Sequence, residues 1–329
     1  MAKAGEPLRG GIDLGGTKIQ AAIVTEEGSV SAEARRETPH EGGPEAVAAE
    51  MADALREAAE SAGIQAESLQ GVGVGAPGDA NEQTGVVSAA RNIPGWEGSF
   101  PLAEALAESL GTSVRVGNDV QVATEAEFHL GAGRPYRTIL GVFWGTGVGG
   151  GLILDGKPWL GRGAAGEIGH MAVKLGGARC PCGRSGCMEA YAGRGPMEAK
   201  ARREVENGKH TKLFELAAKH GKDRLTSGVW ERALEHGDHL AEQLMKRAIK
   251  ALGAGIGSAI NLIDPEAVIL GGGMGLRFGD SYGKRLFEEI GTHLFVQDRP
   301  PDFCVAELGD LGGAIGASLL VARPVEAAA

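Results

Sequence analysis

The chain has 329 residues, with 33 basic and 43 acidic side chains giving a formal net charge of -10 at pH 7, and 55 glycines. Those glycines follow no three-residue period and only 14 prolines accompany them, which excludes a collagen-like chain, while 43% hydrophobic residues exclude a disordered one. The acidic balance argues against a nucleic-acid partner, no apolar run approaches the roughly 18 residues of a membrane helix, and the length predicts two domains, so a soluble cytoplasmic protein is expected.

In chain order, Gly10 to Leu14 reads as a strand, Gly15-Gly16 as a turn and the alternating run Ile19 to Val24 as the second arm of a hairpin. Apolar residues at helical spacing (Val47, Met51, Leu55) predict a helix from Gly43 to Ala62. Val72 to Val74 is a short buried-strand signal ending in the turn Gly75-Ala76-Pro77-Gly78. A helix from Pro101 to Leu110, a strand from Ser113 to Val116 and a helix from Val120 to Leu130, opened by Asn118-Asp119, complete the first half. The interdomain hinge is placed there. Thr138 to Trp144 then repeats the opening pattern, with Gly145 to Gly151 as the turn and Leu152 to Leu154 as the second arm. Residues 196–264 read as helical and end in a long helix, about Asp238 to Leu262, whose small residues Gly253 to Ser258 permit close packing. Ala267 to Leu270 is a buried strand running into Gly271-Gly272-Gly273. A helix from about Tyr282 to His293, a strand from Phe303 to Glu307 and a helix from about Gly313 to Val321 follow. Strands alternating with helices around two similar hairpin starts predict an α/β fold of two related halves.

The segment Gly11 to Lys18 sets Asp13 at a strand end beside two glycines whose bare backbone lets N–H groups approach an anion. It fits a phosphate loop with a metal-facing carboxylate, or a plain hairpin turn with an Asp cap. The second hairpin, Gly145-Thr146-Gly147, also spells the dinucleotide pattern G-x-G-x-x-G, but a strand follows where that motif needs a helix. Gly151 to Lys157 imitates the start of a Walker A loop, yet Pro158 stands where Ser or Thr should bind magnesium. Two phosphate-type hairpins on repeated halves, with Gly271 to Gly275 after a buried strand, point to a nucleotide between the domains. Asn118-Asp119 is either an ordinary helix cap or a catalytic pair at the mouth of a cleft. A hydroxyl attacking a phosphoryl group needs such a positioned carboxylate to accept its proton.

Three of the four cysteines, Cys180, Cys182 and Cys187, fall within eight residues, a poor disulfide framework. His170 supplies a fourth ligand in the spacing H-x9-C-x-C-x4-C, which predicts a tetrahedral structural zinc site with no open position. Such a zinc would staple a glycine-rich loop and fix Glu167 and Glu189 at its two ends. Two rigid carboxylates suit sugar hydroxyls.

With these residues on view, the chain resembles the ROK group of repressors, open reading frames and sugar kinases, which has the actin-like ATPase (ribonuclease H-like) fold of two related domains around a cleft. The likeness runs from Gly11 to about Leu320 and is most specific at Cys180-x-Cys-Gly-x-x-Gly-Cys-x-Glu189, at Gly11 to Thr17 and at Asn118-Asp119. Within the group it looks most like bacterial ATP-dependent glucokinases. The resemblance implies a smaller N-terminal domain, residues 1–119, rejoined by the C-terminal helix at about 312–329, and a larger domain, 120–311, bearing the zinc loop. It implies Asp119 as the catalytic base and Gly78, Asn92, Asn118, Asp119, Glu167, His170 and Glu189 as sugar ligands. His170, Cys180, Cys182 and Cys187 match the zinc ligands. Asp13, Gly15, Gly16, Thr17, Lys18, Gly145, Thr146 and Gly147 match the phosphate loops, and Gly272-Gly273 the turn beside the adenosine. Arg91 departs from the group, which often has Pro before the matching Asn. ATP, magnesium and zinc are the expected cofactors, glucose or a related hexose the substrate, and a homodimer or homotetramer the assembly. The alternatives are a kinase for N-acylmannosamine, fructose or mannose, a polyphosphate donor, which the scarcity of basic runs disfavours, or a sugar-sensing regulator. The regulator would carry a DNA-binding domain ahead of Gly11, where ten residues stand.

Overall fold

The computed structural model describes residues 7–90 and 93–323. Its first half runs β1 (Leu8–Leu14), β2 (Lys18–Thr25), β3 (Val30–Glu37), α1 (Gly43–Ser61), β4 (Val72–Ala76), β5 (Asp79–Ala80), β6 (Val87–Ser88), β7 (Ser99–Phe100), α2 (Leu102–Leu110), β8 (Val114–Asn118) and α3 (Asp119–Leu130). The second runs β9 (Ile139–Trp144), β10 (Val148–Leu154), β11 (Lys157–Pro158), α4 (Glu189–Ala192), α5 (Arg194–Glu206), α6 (Leu213–Lys219), α7 (Ser227–Glu235) and α8 (His239–Ile263). It ends with β12 (Ala267–Gly271), α9 (Gly272–Gly291), β13 (Asp302–Val305) and α10 (Gly312–Leu319). Among the described residues no helix is long and apolar enough to cross a membrane.

Two five-stranded sheets have the same plan. The first is ordered β3-β2-β1-β4-β8 and the second β11-β10-β9-β12-β13, each an antiparallel hairpin edge followed by parallel strands. A small sheet, β5-β6-β7, is inserted in the first half. The expected duplication is therefore visible strand by strand.

Each sheet buries one face in its own core. In the first, Ile12, Leu14, Val72 and Val74 meet the apolar stripe of α1 (Val47, Met51, Leu55) and α2 (Leu102, Leu106, Leu110). In the second, Leu140, Val142 and Trp144 meet α8 and α9 through residues such as Met245, Leu252 and Phe278. Burying a large apolar side chain contributes about 1.5–3 kcal/mol, so these two clusters hold each half together. Helix α10 packs on β1 and β4, α3 packs on β9 and β10, and the two helices pack on one another.

Those contacts require bare backbone, which changes the reading of Gly145 to Gly151. The turn is only residues 145–147, and Gly149 to Gly151 lie inside β10. A Cβ on Gly149 would come within 2.6 Å of Val120 Cγ2, and one on Gly151 would collide with Thr124, both on α3. A second difference falls at Gly271 to Gly275: the helix expected from Tyr282 begins ten residues earlier, at Gly272. Its glycines suppress the helical signal in the sequence, and at Gly275 and Gly279 they admit Leu270 and Val305.

Candidate active site

In open α/β sheets ligands collect at the carboxyl ends of the parallel strands. In the first sheet, Asp13 pairs with Gly75, Gly75 with Gly117, and Ala76 with Asn118. In the second, Phe143 pairs with Gly271, so the loop after Trp144 and the start of α9 are neighbours. A Cβ on Gly145 would lie 3.9 Å from the Gly273 N, and one on Gly273 would meet open space.

Hydrogen bonds orient both hairpin loops. In the first, the Thr38 hydroxyl donates to Gly15 O at 2.7 Å and Gly15 N–H to Lys18 O at 2.9 Å. In the second, the N–H groups of Arg194 and Gly195 donate to the carbonyls of Gly145 and Thr146 at 3.1 and 3.0 Å. A trans peptide sets its N–H opposite its C=O. Fixing the carbonyls of Gly15, Gly145 and Thr146 outward therefore aims the N–H groups of Gly16, Thr146 and Gly147 the other way, as an anion cradle needs.

Asn118 is the N-cap of α3, its Oδ1 accepting from Val120 N and Gln121 N at 3.1 and 3.0 Å. That bond fixes the helix start and with it Asp119, whose Oδ1 accepts from Val120 N at 2.9 Å. Burial pushes the Asp119 carboxyl up to about 7, and the negative charges of Asp13 and Glu167 add to the shift against the Val120 hydrogen bond. Asp13 is raised to about 6, chiefly by burial, with Lys18 opposing and Asp310 reinforcing. Lys18 Nζ lies 3.2 Å from Asp310 Oδ2, and a Cβ on Gly313 would lie 2.6 Å from the Asp13 carboxyl carbon. Glu127, at 2% exposure on α3, accepts from Glu307 N and Leu308 N at 3.0 and 2.9 Å and so holds the segment that carries Asp310.

The four residues expected to ligate zinc come together. The donor atoms of His170, Cys180, Cys182 and Cys187 all lie within 4.8 Å of one another, with Cys180 Sγ 3.8 Å from His170 Nδ1 and Cys182 Sγ 3.7 Å from Cys187 Sγ. Zn–S bonds of about 2.3 Å give tetrahedral S···S edges of about 3.8 Å, so the donor set fits the ion. The loop is anchored on α4, where the Tyr191 hydroxyl accepts from Ala178 N at 2.7 Å and Trp144 Nε1 donates to Ala192 O at 2.6 Å. Glu167 Oε2 lies 3.8 Å from His170 Nε2. Glu189 Oε2 accepts from Val148 N at 3.0 Å, which ties the cysteine loop directly to the second hairpin.

Gly78, at φ +84°, is the left-handed turn out of β4 and sits against the backbone of Ser88 and Ala89, two residues beyond the strand partner of Asn118. Gly272, at φ +78°, is the first residue of α9, a helix start where a turn was expected, and a Cβ on it would lie 2.6 Å from Trp144 O. Asn92 and Arg91 lie outside the described residues. Sequence reasoning missed Thr38, Arg194 and Asp310. Each reaches its loop from a distant segment, and only Asp310, inside the glycine-rich stretch Gly309 to Gly316, carried a local signal.

The ROK family model matches residues 9–323. The chain belongs to the ROK family. Among curated ROK relatives, the glucokinase of Halalkalibacterium halodurans is 34% identical over 318 residues, 94% of each chain. The solved ROK glucokinase of Streptomyces griseus, in complex with glucose and AMPPNP, superposes with a TM-score of 0.79 at 30% identity, covering 95% of this chain and 98% of that one. The ROK hexokinase of Thermus thermophilus gives 0.76 at 33% identity, covering 95% and 97%. The two-domain actin-like ATPase fold expected of a ROK protein is thereby shown.

Proposed function

We propose that the protein is an ATP-dependent glucokinase that transfers the γ-phosphate of ATP to the C6 hydroxyl of glucose, giving glucose 6-phosphate and ADP. The glucokinase relatives and the glucose and AMPPNP complex of the Streptomyces griseus enzyme support the substrates. The observation that carries the chemistry is Asp119: a carboxyl at a helix start between two anion cradles, with its pKa raised to about 7. A general base works best near the operating pH. Asp119 takes the proton of the C6 hydroxyl as its oxygen attacks the γ-phosphorus in line, and ADP leaves.

Asn118, Glu167, His170 and Glu189 bind sugar hydroxyls, with Gly78 and the segment of Asn92 closing the same side. Gly15, Gly16, Thr17 and Lys18 cradle the transferred phosphate from one hairpin, and Gly145, Thr146 and Gly147 the remaining phosphates from the other. Gly272 and Gly273 border the adenosine. Burial raises the Asp13 pKa to about 6 even with Lys18 opposing it, so the carboxylate gains from further positive charge and suits magnesium, which when bound would neutralise charge on the phosphates. His170, Cys180, Cys182 and Cys187 hold zinc, which in a closed four-ligand site serves structure. Closing the cleft around both substrates excludes water, a competing nucleophile. The chain divides at residues 119 and 120, and α10, seated on β1 and β4, returns the C-terminal segment to the first domain.

A coupled ADP-release assay over glucose, mannose, fructose, N-acetylglucosamine and N-acetylmannosamine, each with ATP or polyphosphate, tests this reading. Glucose with ATP is expected to give the highest kcat/KM. Activity confined to the N-acetylated sugars would replace glucose as the substrate.

A further inference from the structure

Arg194, the first residue of α5, has no part in the chemistry above. Its main chain clamps Gly145 O, but its side chain runs back along the second phosphate loop, where Nη1 donates to Leu225 O at 3.1 Å and Nη2 to Thr146 Oγ1 at 2.8 Å. The bond to Thr146 is open to solvent. A guanidinium carries five N–H donors in a planar fork, and those two contacts leave the rest for a ligand. Among the described residues Arg194 makes no ion pair. Burial, and then the charge of Arg224, push its pKa below the ordinary arginine value; Glu198, which opposes them, is already paired with Arg202 and Arg224 at 2.7 and 3.2 Å. A half-buried cation held at two points by neutral oxygens, with its Thr146 contact open to solvent, lacks an anion.

We propose that Arg194 binds the donor's phosphates, its unused N–H groups beside Thr146 holding a non-transferred phosphoryl oxygen of a nucleoside di- or triphosphate. The assignment rests on the kinase reading of the site. The second loop, Gly145-Thr146-Gly147, contains no cation, whereas the first ends in Lys18; Arg194 supplies the missing charge from another segment. Arginine suits this task because its fork matches phosphate oxygens two at a time.

The test compares wild type, Arg194→Ala and Arg194→Lys. Calorimetric titration with ADP and with adenosine measures the phosphate contribution directly, and steady-state assays give KM for ATP and for glucose. For Arg194→Ala, ADP affinity is expected to fall about tenfold or more, in line with loss of a charge-assisted hydrogen bond, with KM for ATP rising in parallel. Adenosine affinity and KM for glucose stay within about twofold, and Arg194→Lys recovers part of the ADP affinity. Equal losses for ADP and adenosine would reduce Arg194 to a support for the loop, and unchanged ADP affinity would overturn the assignment outright. ADP titration needs no sugar, so a wild-type protein that binds ADP yet leaves glucose untouched refutes the glucokinase reading alone.

Discussion

The two phosphate-type hairpins occupy equivalent places in sheets of the same strand order, yet they are wired to their surroundings differently. The first, between β1 and β2, is steadied by one side chain, Thr38, and carries its own cation, Lys18, paired with Asp310. The second, between β9 and β10, is steadied by the first two amides of α5 and by Glu189 at the end of the cysteine loop, and its nearest cation is Arg194. The backbone device is repeated because it follows from the strand order. The charges are not repeated, because each half surrounds its hairpin with different insertions. The first loop thus depends on Thr38 and Asp310, while the second depends on the cysteine loop and α5.

Breaking the group between the loops has the largest expected effect. Asp119→Ala is expected to lower kcat on the order of 100-fold or more, the contribution of a positioned general base, with little change in nucleotide affinity; near-normal turnover in steady-state assays would remove Asp119 as the base. The next effect sharpens the contrast. Cys182→Ser, or stripping with a strong chelator, should raise KM for the sugar about tenfold, the scale of losses around disturbed metal sites. Because Glu189 bonds Val148 N, the same change should raise KM for ATP and lower the melting temperature. Metal analysis that found no zinc in the purified protein would end this argument. Smaller again, Lys18→Met should raise KM for ATP several-fold to about tenfold, without the loss of sugar affinity expected from the cysteine change. Loss of sugar affinity in both variants would mean that the two loops are not separately supported.

What was legible in the sequence was what neighbouring residues encode together. The hairpin at Gly15, the pair Asn118-Asp119 and the spacing from His170 to Cys187 are local patterns, and each assembles as read. The strands β3 and β5 to β7 were not: in Val30 to Glu37 the alternation rests on Val30, Ala32 and Ala34 alone and ends in the charged run Arg35-Arg36-Glu37 at a sheet edge, and the other three are two residues long. Glycine serves both turns and close packing, and sequence alone does not separate the uses. Hence Gly149 to Gly151, flattened under α3, read as a turn, and Gly272 to Gly275, which open α9, read as a loop. Thr38, Arg194 and Asp310 were missed for another reason: their partners Gly15, Thr146 and Lys18 are distant in the chain, and only the fold joins them.

The smallest effect concerns the charge gathered between the loops in the absence of ligand. The Asp119 carboxyl titrates at about 7 in the fold against 3.8 in the open chain, because burial and the charges of Asp13 and Glu167 disfavour its ionised form. Between those values the folded state binds more protons than the unfolded one, so stability falls as pH rises through that window. The ionised carboxylate therefore weakens the ligand-free enzyme at pH 8, and the same ionised form is the one that the proposed role of base requires. Asp119→Asn removes the charge and retains the shape. Its melting temperature is expected to exceed that of wild type by roughly 2–4 °C at pH 8 and to match it near pH 4, where the wild-type group is protonated. Calorimetry across that range checks the sign, since a difference that is constant with pH would trace the gain to packing. The kcat/KM of the wild type should move oppositely, rising with pH through about 7 as the base of the free enzyme ionises. A stability penalty and a rate gain with one midpoint would mark Asp119 as a group whose environment serves the reaction at the expense of the empty fold.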